Sequence, residues 1–252
     1  SFYEDTGTTP KFFWDASAES LGIGTSSPSA QLSLHGDVST AYDGTGISSA
    51  TYQQHIVNTN TDANTGAFLA LSSNDNGTGT AVIGSIGGST LKDSQLVFLT
   101  RDGSASGDPV AERMRIDSSG NVLVGTTDTS IHTSSSGTGI ALRDAGSIYA
   151  TRDGGTTSIL NRLTSDGDIV SFRKDGATVG SIGVEAGDNF YIADSNNTGL
   201  NMKGGKILPA DSTGLARDNA IDLGNNFGRF KDLYLSGGVY LGGTGAANKL
   251  DD

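Results

Sequence analysis

Cysteine is absent from the 252 residues. That excludes a disulfide framework, a thiolate metal site and a cysteine nucleophile. Proline is scarce, with 4 copies, so the chain is not a Pro-rich linker, and its 37 glycines follow no Gly-X-Y period, so it is not collagen-like. Only 35% of residues are hydrophobic, low against the ~45–50% usual on a count that includes glycine. No apolar run approaches the ~20 residues of a membrane-spanning helix. Basic runs are missing too; Arg113/Arg115 and Arg173-Lys174 are the densest pairs. With a net charge of −12, the chain lacks the cationic face that displaces counterions from phosphate, which argues against nucleic acid and against an anionic membrane surface. The opening SFYEDTGTTP has neither the basic nor the apolar region of a signal peptide. It also lacks an initiator Met, which suggests a piece of a longer chain.

What is present is regular punctuation. Asp-Gly occurs at Asp43-Gly44, Asp102-Gly103, Asp153-Gly154, Asp166-Gly167 and Asp175-Gly176, and Asn-Gly at Asn76-Gly77. Such pairs tolerate the positive φ of tight hairpin turns. Between them lie strand-length runs: Tyr52–Asn58, Ala67–Ser72, Ala81–Ile86, Gln95–Thr100, Arg113–Asp117, Asn121–Gly125, Ile169–Arg173 and Phe190–Ala193. Short β-branched and aromatic runs between Gly-rich turns predict an antiparallel all-β fold. The best helical pattern is Asn225–Leu233, where Phe227, Phe230 and Leu233 recur every third residue behind an Asn cap, enough for one or two turns.

The chain also repeats itself loosely. FLALSSNDNG (68–77) is echoed by FYIADSNNTG (190–199), VIGSIG (82–87) by TVGSIG (178–183), and LGIGT (21–25) by VLVGT (122–126). The spacing varies, so this is not a fixed-period solenoid. Four segments are expected: an extended lead-in over 1–37 with the anchor Phe12-Phe13-Trp14, a β-sandwich-like module over 38–130, a second smaller β module over 131–200 introduced by HTSSSGTG, and a narrow intertwined end over 201–252.

The last segment sets the physical problem. Leu233-Tyr234-Leu235 and Val239-Tyr240-Leu241 repeat one triplet with Ser236-Gly237-Gly238 between. As strands they carry apolar groups on both faces. A lone two-stranded ribbon is marginal in water. Each aliphatic side chain left exposed forfeits roughly 1.5–3 kcal/mol. Three copies wound around an axis would cover these groups.

The stretch DNAIDLGNNFGRFKDLYLSGGVYLGGTGAANKLDD (218–252) resembles one that recurs in the tail fibres of bacteriophages, marine ones in particular. FFWDASAESLGIGTSSPSAQLSLHGD (12–37) and ERMRIDSSGNVLVGTTDTS (112–130) are similar to two further phrases of these proteins. The resemblance covers roughly a third of the chain closely. It implies an elongated homotrimeric fibre of small antiparallel β modules joined by intertwined β-stalk segments, borne on the virion as a tail appendage. Its implied partners are two further copies of the chain, other phage tail proteins and a host surface glycan or protein receptor. It implies no catalytic residue and no cofactor.

Signals for chemistry are weak. His35, His55 and His132 are scattered, no G-x-S-x-G elbow exists, and no His-x-His pair offers a metal. The close acid pairs are Asp166/Asp168, Asp251/Asp252 and Glu4/Asp5. The first reads as a turn and the others lie at the ends, which does not suit a glycosidase pair beside a sugar groove. Asn60, Asp62 and Asn64 have the alternate oxygens of a calcium loop, but Gly66 falls one place late and Leu71 stands where the bidentate Glu belongs. GTGTAVIG lacks the P-loop lysine. The sequons at Asn76 and Asn196 read as idle. Tyr42, Tyr52, Tyr149 and Tyr191 are the aromatics available to stack on a sugar. The expectation is therefore a structural, adhesive protein and not an enzyme. The competing readings are a monomeric carbohydrate-binding β module and a polysaccharide-depolymerising tailspike.

Overall fold

The structure, a computed structural model, describes residues 2–3, 10–34, 56, 62, 65–72, 80–87, 93–101, 109–242 and 249–250. It is all-β. Contacts divide the chain into one unit over Ser1–Thr157 and another over Ser158–Asp252.

The first unit holds two sheets. β1 (Phe2–Tyr3), β2 (Pro10–Asp15), β3 (Ser20–Ile23) and β4 (Leu32–Leu34) form a four-stranded sheet in chain order. The pairing of β3 with β4 is parallel, against the antiparallel expectation. The local reason is the connection before β4. Ser33 is buried, and its Oγ accepts from the Ser29 and Ala30 amides, so the chain folds back under β3 and does not form a hairpin. Residues 10–34, expected as an extended lead-in, thus build a sheet.

The second sheet is a seven-stranded antiparallel meander. Its strands are β5 (Gly66–Ser72), β6 (Thr80–Gly87), β7 (Ser94–Thr100), β8 (Ala111–Ile116), β9 (Val122–Val124), β10 (Gly139–Leu142) and β11 (Ile148–Thr151). A 3-10 turn at Ile131–Thr133 buries Ile131 against Leu123 and Ala141, with Tyr149 packed beside them. HTSSSGTG is therefore a connection inside this sheet, and the expected division at 130/131 falls within it.

The second unit carries a five-stranded meander of β12 (Gly167–Lys174), β13 (Ala177–Glu185), β14 (Asn189–Asp194), β15 (Gly199–Lys203) and β16 (Lys206–Ala210). The expected division at 200/201 lies inside β15. Asp175-Gly176 makes the predicted two-residue hairpin turn, with both φ positive at 49° and 82°. Asp153-Gly154 and Asp166-Gly167 do not, because both lie along the connection from β11 into β12, strands of different sheets. Asp43-Gly44, Asn76-Gly77, Asp102-Gly103 and most of Tyr52–Asn58 lie outside the described residues. Near the end, β17 (Val239–Tyr240) pairs with β18 (Lys249–Leu250).

Asn225–Leu233 is not helical. The Asn225 side chain caps only one turn, accepting from the Phe227 and Gly228 amides. Gly228 disfavours continuation, and Phe227 is 93% exposed, so no packed face sustains a helix. Among the described residues no helix is long and apolar enough to cross a membrane.

Residue parity then decides which face of each sheet is covered. In the seven-stranded sheet one face aligns Leu69, Ile83, Phe98, Met114, Val124 and Ile140 in a row across the strands. A second row on that face runs through Leu96, Ile116, Val122, Leu142 and Ile148. Much of this apolar surface is exposed, including Leu69, Ile83, Leu96, Val124 and Ile140. The opposite face, with Val97, Leu123 and Ala141, is the covered one. The five-stranded sheet repeats the pattern. Ile192, Leu200, Phe190 and Ile207 are open, whereas Ser181, Tyr191, Ala193 and Asn201 are buried under the turn at 211–216. In the four-stranded sheet Phe12, Trp14, Ile23 and Leu32 are open, while Ser20, Gly22 and Ser33 are covered.

Tyr191 is the largest fully buried side chain described. Two glycines make its slot. A Cβ on Gly183 would stand 2.7 Å from the tyrosine oxygen, and one on Gly214 would stand 2.4 Å from the ring, at a φ of +87°. Gly214→Ala should therefore lose about 2–3 kcal/mol from positive-φ strain and ring displacement together. Urea unfolding followed by Tyr191-sensitive near-UV dichroism checks this; an unchanged midpoint contradicts the account of the slot.

Candidate functional site

The polar residues of this chain are spent largely on turns. Asp117, Asp194 and Asp211 each open a hairpin connection of one design. The aspartate amide donates to the carbonyl four residues on, at 2.9–3.0 Å. Its Oδ1 accepts from the amides two and four residues on, which are Ser119 and Asn121, Asn196 and Thr198, Thr213 and Leu215. The fourth position has positive φ and is Gly120, Asn197 or Gly214. The signal is legible as Asp-Ser-x-[Gly/Asn], a pattern distinct from the Asp-Gly pairs. Arg143–Ser147 adopts the same backbone with Gly146 at the fourth place.

Two of these turns are tied together. Asn121 is buried; its Nδ2 donates to Asp117 Oδ2 at 2.8 Å, and its Oδ1 accepts from the Asp144 amide at 3.1 Å. Partial burial acts to raise the Asp117 carboxyl. The hydrogen bonds from Asn121 and Ser119, with Arg143 nearby, together outweigh it and hold the group below the usual carboxylate range. For Asp211 burial likewise opposes, and bonds from Thr213 and Leu215 with Arg217 nearby prevail. Asp15 is lowered by the Ser17 side chain and by the Ser17 and Ala18 amides, and Asp128 by the Ser130 amide and the Ser134 hydroxyl.

A bulge creates a partly buried ion pair. Phe98 pairs with Met114 and Leu99 with Glu112, so Arg113 is the extra residue. The insertion flips parity. Glu112 and Arg115, three apart in one strand, therefore share a face and form a two-pronged pair at 2.6 Å, with Arg115 also donating to Gln95.

The residues singled out for chemistry are dispersed. Asp166 accepts from the Gly187 amide, and Asp168 accepts from the Tyr191 hydroxyl at 2.6 Å. Burial and that hydrogen bond raise the Tyr191 phenol. Tyr191 is thus interior and offers no sugar platform. Tyr149 is half-buried, and exposed His132 lies against it with ring centroids 3.8 Å apart. His35, His55, Tyr42, Tyr52, Asn60, Asn64, Asn76, Glu4, Asp5, Asp251 and Asp252 lie outside the described residues, and Asp62 is exposed. Among the described residues no group of three or more metal-ligating side chains converges.

The hollows are apolar. One, of about 630 Å³, opens over the five-stranded sheet between Phe172, Val179, Ile192, Leu200, Ile221 and Leu223. Asp194 borders it, but its Oδ1 is engaged by its own turn. Another, of about 560 Å³, is walled by Leu223, Phe230 and Leu233 beside Asn225, Arg229 and Asp232. Such walls suit apolar packing more than proton transfer. No family model matches the chain, and no curated protein or solved structure matches it.

The lowered aspartates set the acid response. Each folded pKa lies below the unfolded value of ~3.9, so their contribution is present above that value and is lost as pH falls through the folded one. Stability should therefore drop below about pH 4. Asp117→Asn, which keeps an acceptor but no charge, should flatten that drop in a pH series of melting temperatures; an unaltered slope contradicts the assignment.

Proposed function

We propose that this chain is a structural and adhesive component of a phage tail fibre, acting as a homotrimer in host attachment. The observation that carries the reading is the unburied apolar end of the chain. Leu233 is 67% exposed, Tyr234 88% and Leu241 61%. Apart from the two-residue pairing of β17 with β18, no named strand covers residues 211–242. A monomeric domain gains its stability by covering such groups. Here the exposed halves of Leu233, Leu235 and Leu241 alone forgo roughly 1 kcal/mol each. Two further copies would supply the missing cover. The likeness of 218–252 to tail-fibre sequences supports the same reading, and the net charge of −12 would keep separate fibres apart.

The mechanism is mechanical. Three copies present the same weak surfaces, so attachment gains from avidity without requiring one tight site. The turns at 117–121, 194–198 and 211–215 give exposed polar groups in repeated geometry. A host glycan or surface protein is the proposed partner for such surfaces.

Light scattering on the purified chain should return about three times 25.7 kDa. A mass of one chain at micromolar concentration contradicts the trimer. The double variant Leu233→Asp/Leu235→Asp should shift the protein toward that single mass. Immunogold against the chain should label a tail appendage on virions; label on the capsid alone contradicts the placement.

A further inference from the structure

We infer that the open face of the seven-stranded sheet packs against the other copies of this chain, and that its covered face, carrying Arg115, Glu112 and Gln95, points outward. The inference rests on the trimer reading and assigns it a surface.

The rows through Leu69, Ile83, Phe98, Met114, Val124 and Ile140 and through Leu96, Ile116, Val122, Leu142 and Ile148 cross the strands without a charged side chain. Strand spacing makes this face about 30 Å wide, and two rows with their flanks make it about 15 Å deep, on the order of 450 Å². That falls within the ~300–600 Å² of the largest apolar patch on an ordinary monomer, a patch that often serves an interaction. The five-stranded sheet offers a second open face through Val170, Ile182, Ile192, Leu200 and Pro209, and through Phe190, Met202 and Ile207. Counted separately and added, the two faces approach the ~800 Å² per partner of a stable protein interface.

Charge selects the occupant. The 28 acidic and 16 basic residues stay off both rows. A charged partner would lose its hydration over these rows, and Arg113 beside them already donates to Thr100. An identical copy brings equally uncharged rows, and rotational symmetry leaves no copy with its face uncovered. The chain's own 3-10 turn at Ile131–Thr133 already packs on the other face, over Leu123 and Ala141. That asymmetry fixes which face is left for the neighbours.

The absence of cysteine makes a clean test. Leu69 and Ala70 are adjacent in β5, point to opposite faces and are both exposed in the single chain. Leu69→Cys and Ala70→Cys are made separately in the full chain and reacted with a maleimide under native conditions, with the mass of each measured in parallel. Ile140→Cys, on the same open face in β10, serves as a second reporter should Leu69→Cys fold poorly. The expected result is a protein of trimer mass in which Ala70→Cys labels freely. The Leu69→Cys and Ile140→Cys variants should label at least ~10-fold more slowly, because labelling then requires an opening that uncovers apolar surface. Equal labelling at both faces in a protein of trimer mass overturns this inference and leaves the trimer standing. Free labelling in a protein of single-chain mass overturns both.

Discussion

A single-layer sheet has two faces, and loops can cover only one. That constraint governs the rest of this structure. In all three large sheets one side is covered: it carries Ser20 and Ser33 in the first, Val97, Leu123 and Ala141 in the second, and Tyr191, Ala193 and Asn201 in the third. The aliphatic side is left to the solvent. The side chains fully buried against their own chain are few, with Tyr191, Leu123, Ile131 and Val97 the largest apolar ones described. Sheets are stable when an apolar face meets another apolar face. On the reading proposed above, the second layer comes from other copies of the chain. On the proposed assembly, fold and quaternary structure form together.

The same economy explains where the polar groups go. A thin sheet has little interior to fix its register, so register has to be set at the turns. Asp117, Asp194 and Asp211 do this by gathering amides onto one carboxylate, and Asn121 ties one turn to the next. The Arg113 bulge does it within a strand by bringing Glu112 and Arg115 to one side. These acids are structural, and their negative charge sits at turns and rims where solvent screens it. The apolar rows remain free of charge. On the proposed reading, one side of such a chain packs against its own kind and the other makes weak, repeated contact with a host surface.

Much of the fold was legible in the sequence, for definite reasons. Short β-branched and aromatic runs between turn residues marked β5 to β9, β12 and β14 to within a few residues, and Asp175-Gly176 marked a hairpin because such a pair tolerates two positive φ values. Three things were not legible. The parallel pairing of β3 with β4 depends on Ser33 accepting from two amides three and four residues earlier, a local turn that serine's residue type alone does not announce. The period at Asn225–Leu233 suggested a helix, but period is only a promise of burial, and nothing buries that face. The module divisions at 130/131 and 200/201 followed loop-like composition, whereas Ile131 and β15 belong to continuous sheets. For the candidate site, exposure could not be read from residue type. Tyr191 was available in the sequence to stack on a sugar, and it is buried in its sheet, while leucines such as Leu69 and Leu96 are open.

On the proposed assembly, one copy cannot supply its own second layer. If native structure requires assembly, unfolding becomes a dissociation, and its midpoint depends on protein concentration. Urea or thermal unfolding of the full chain across a hundredfold concentration range tests this directly. The account predicts a midpoint that climbs steadily with concentration. A midpoint that stays fixed over that range, with a cooperative transition and a single-chain mass, would show that the open faces are tolerated by a lone copy, and the account would fail.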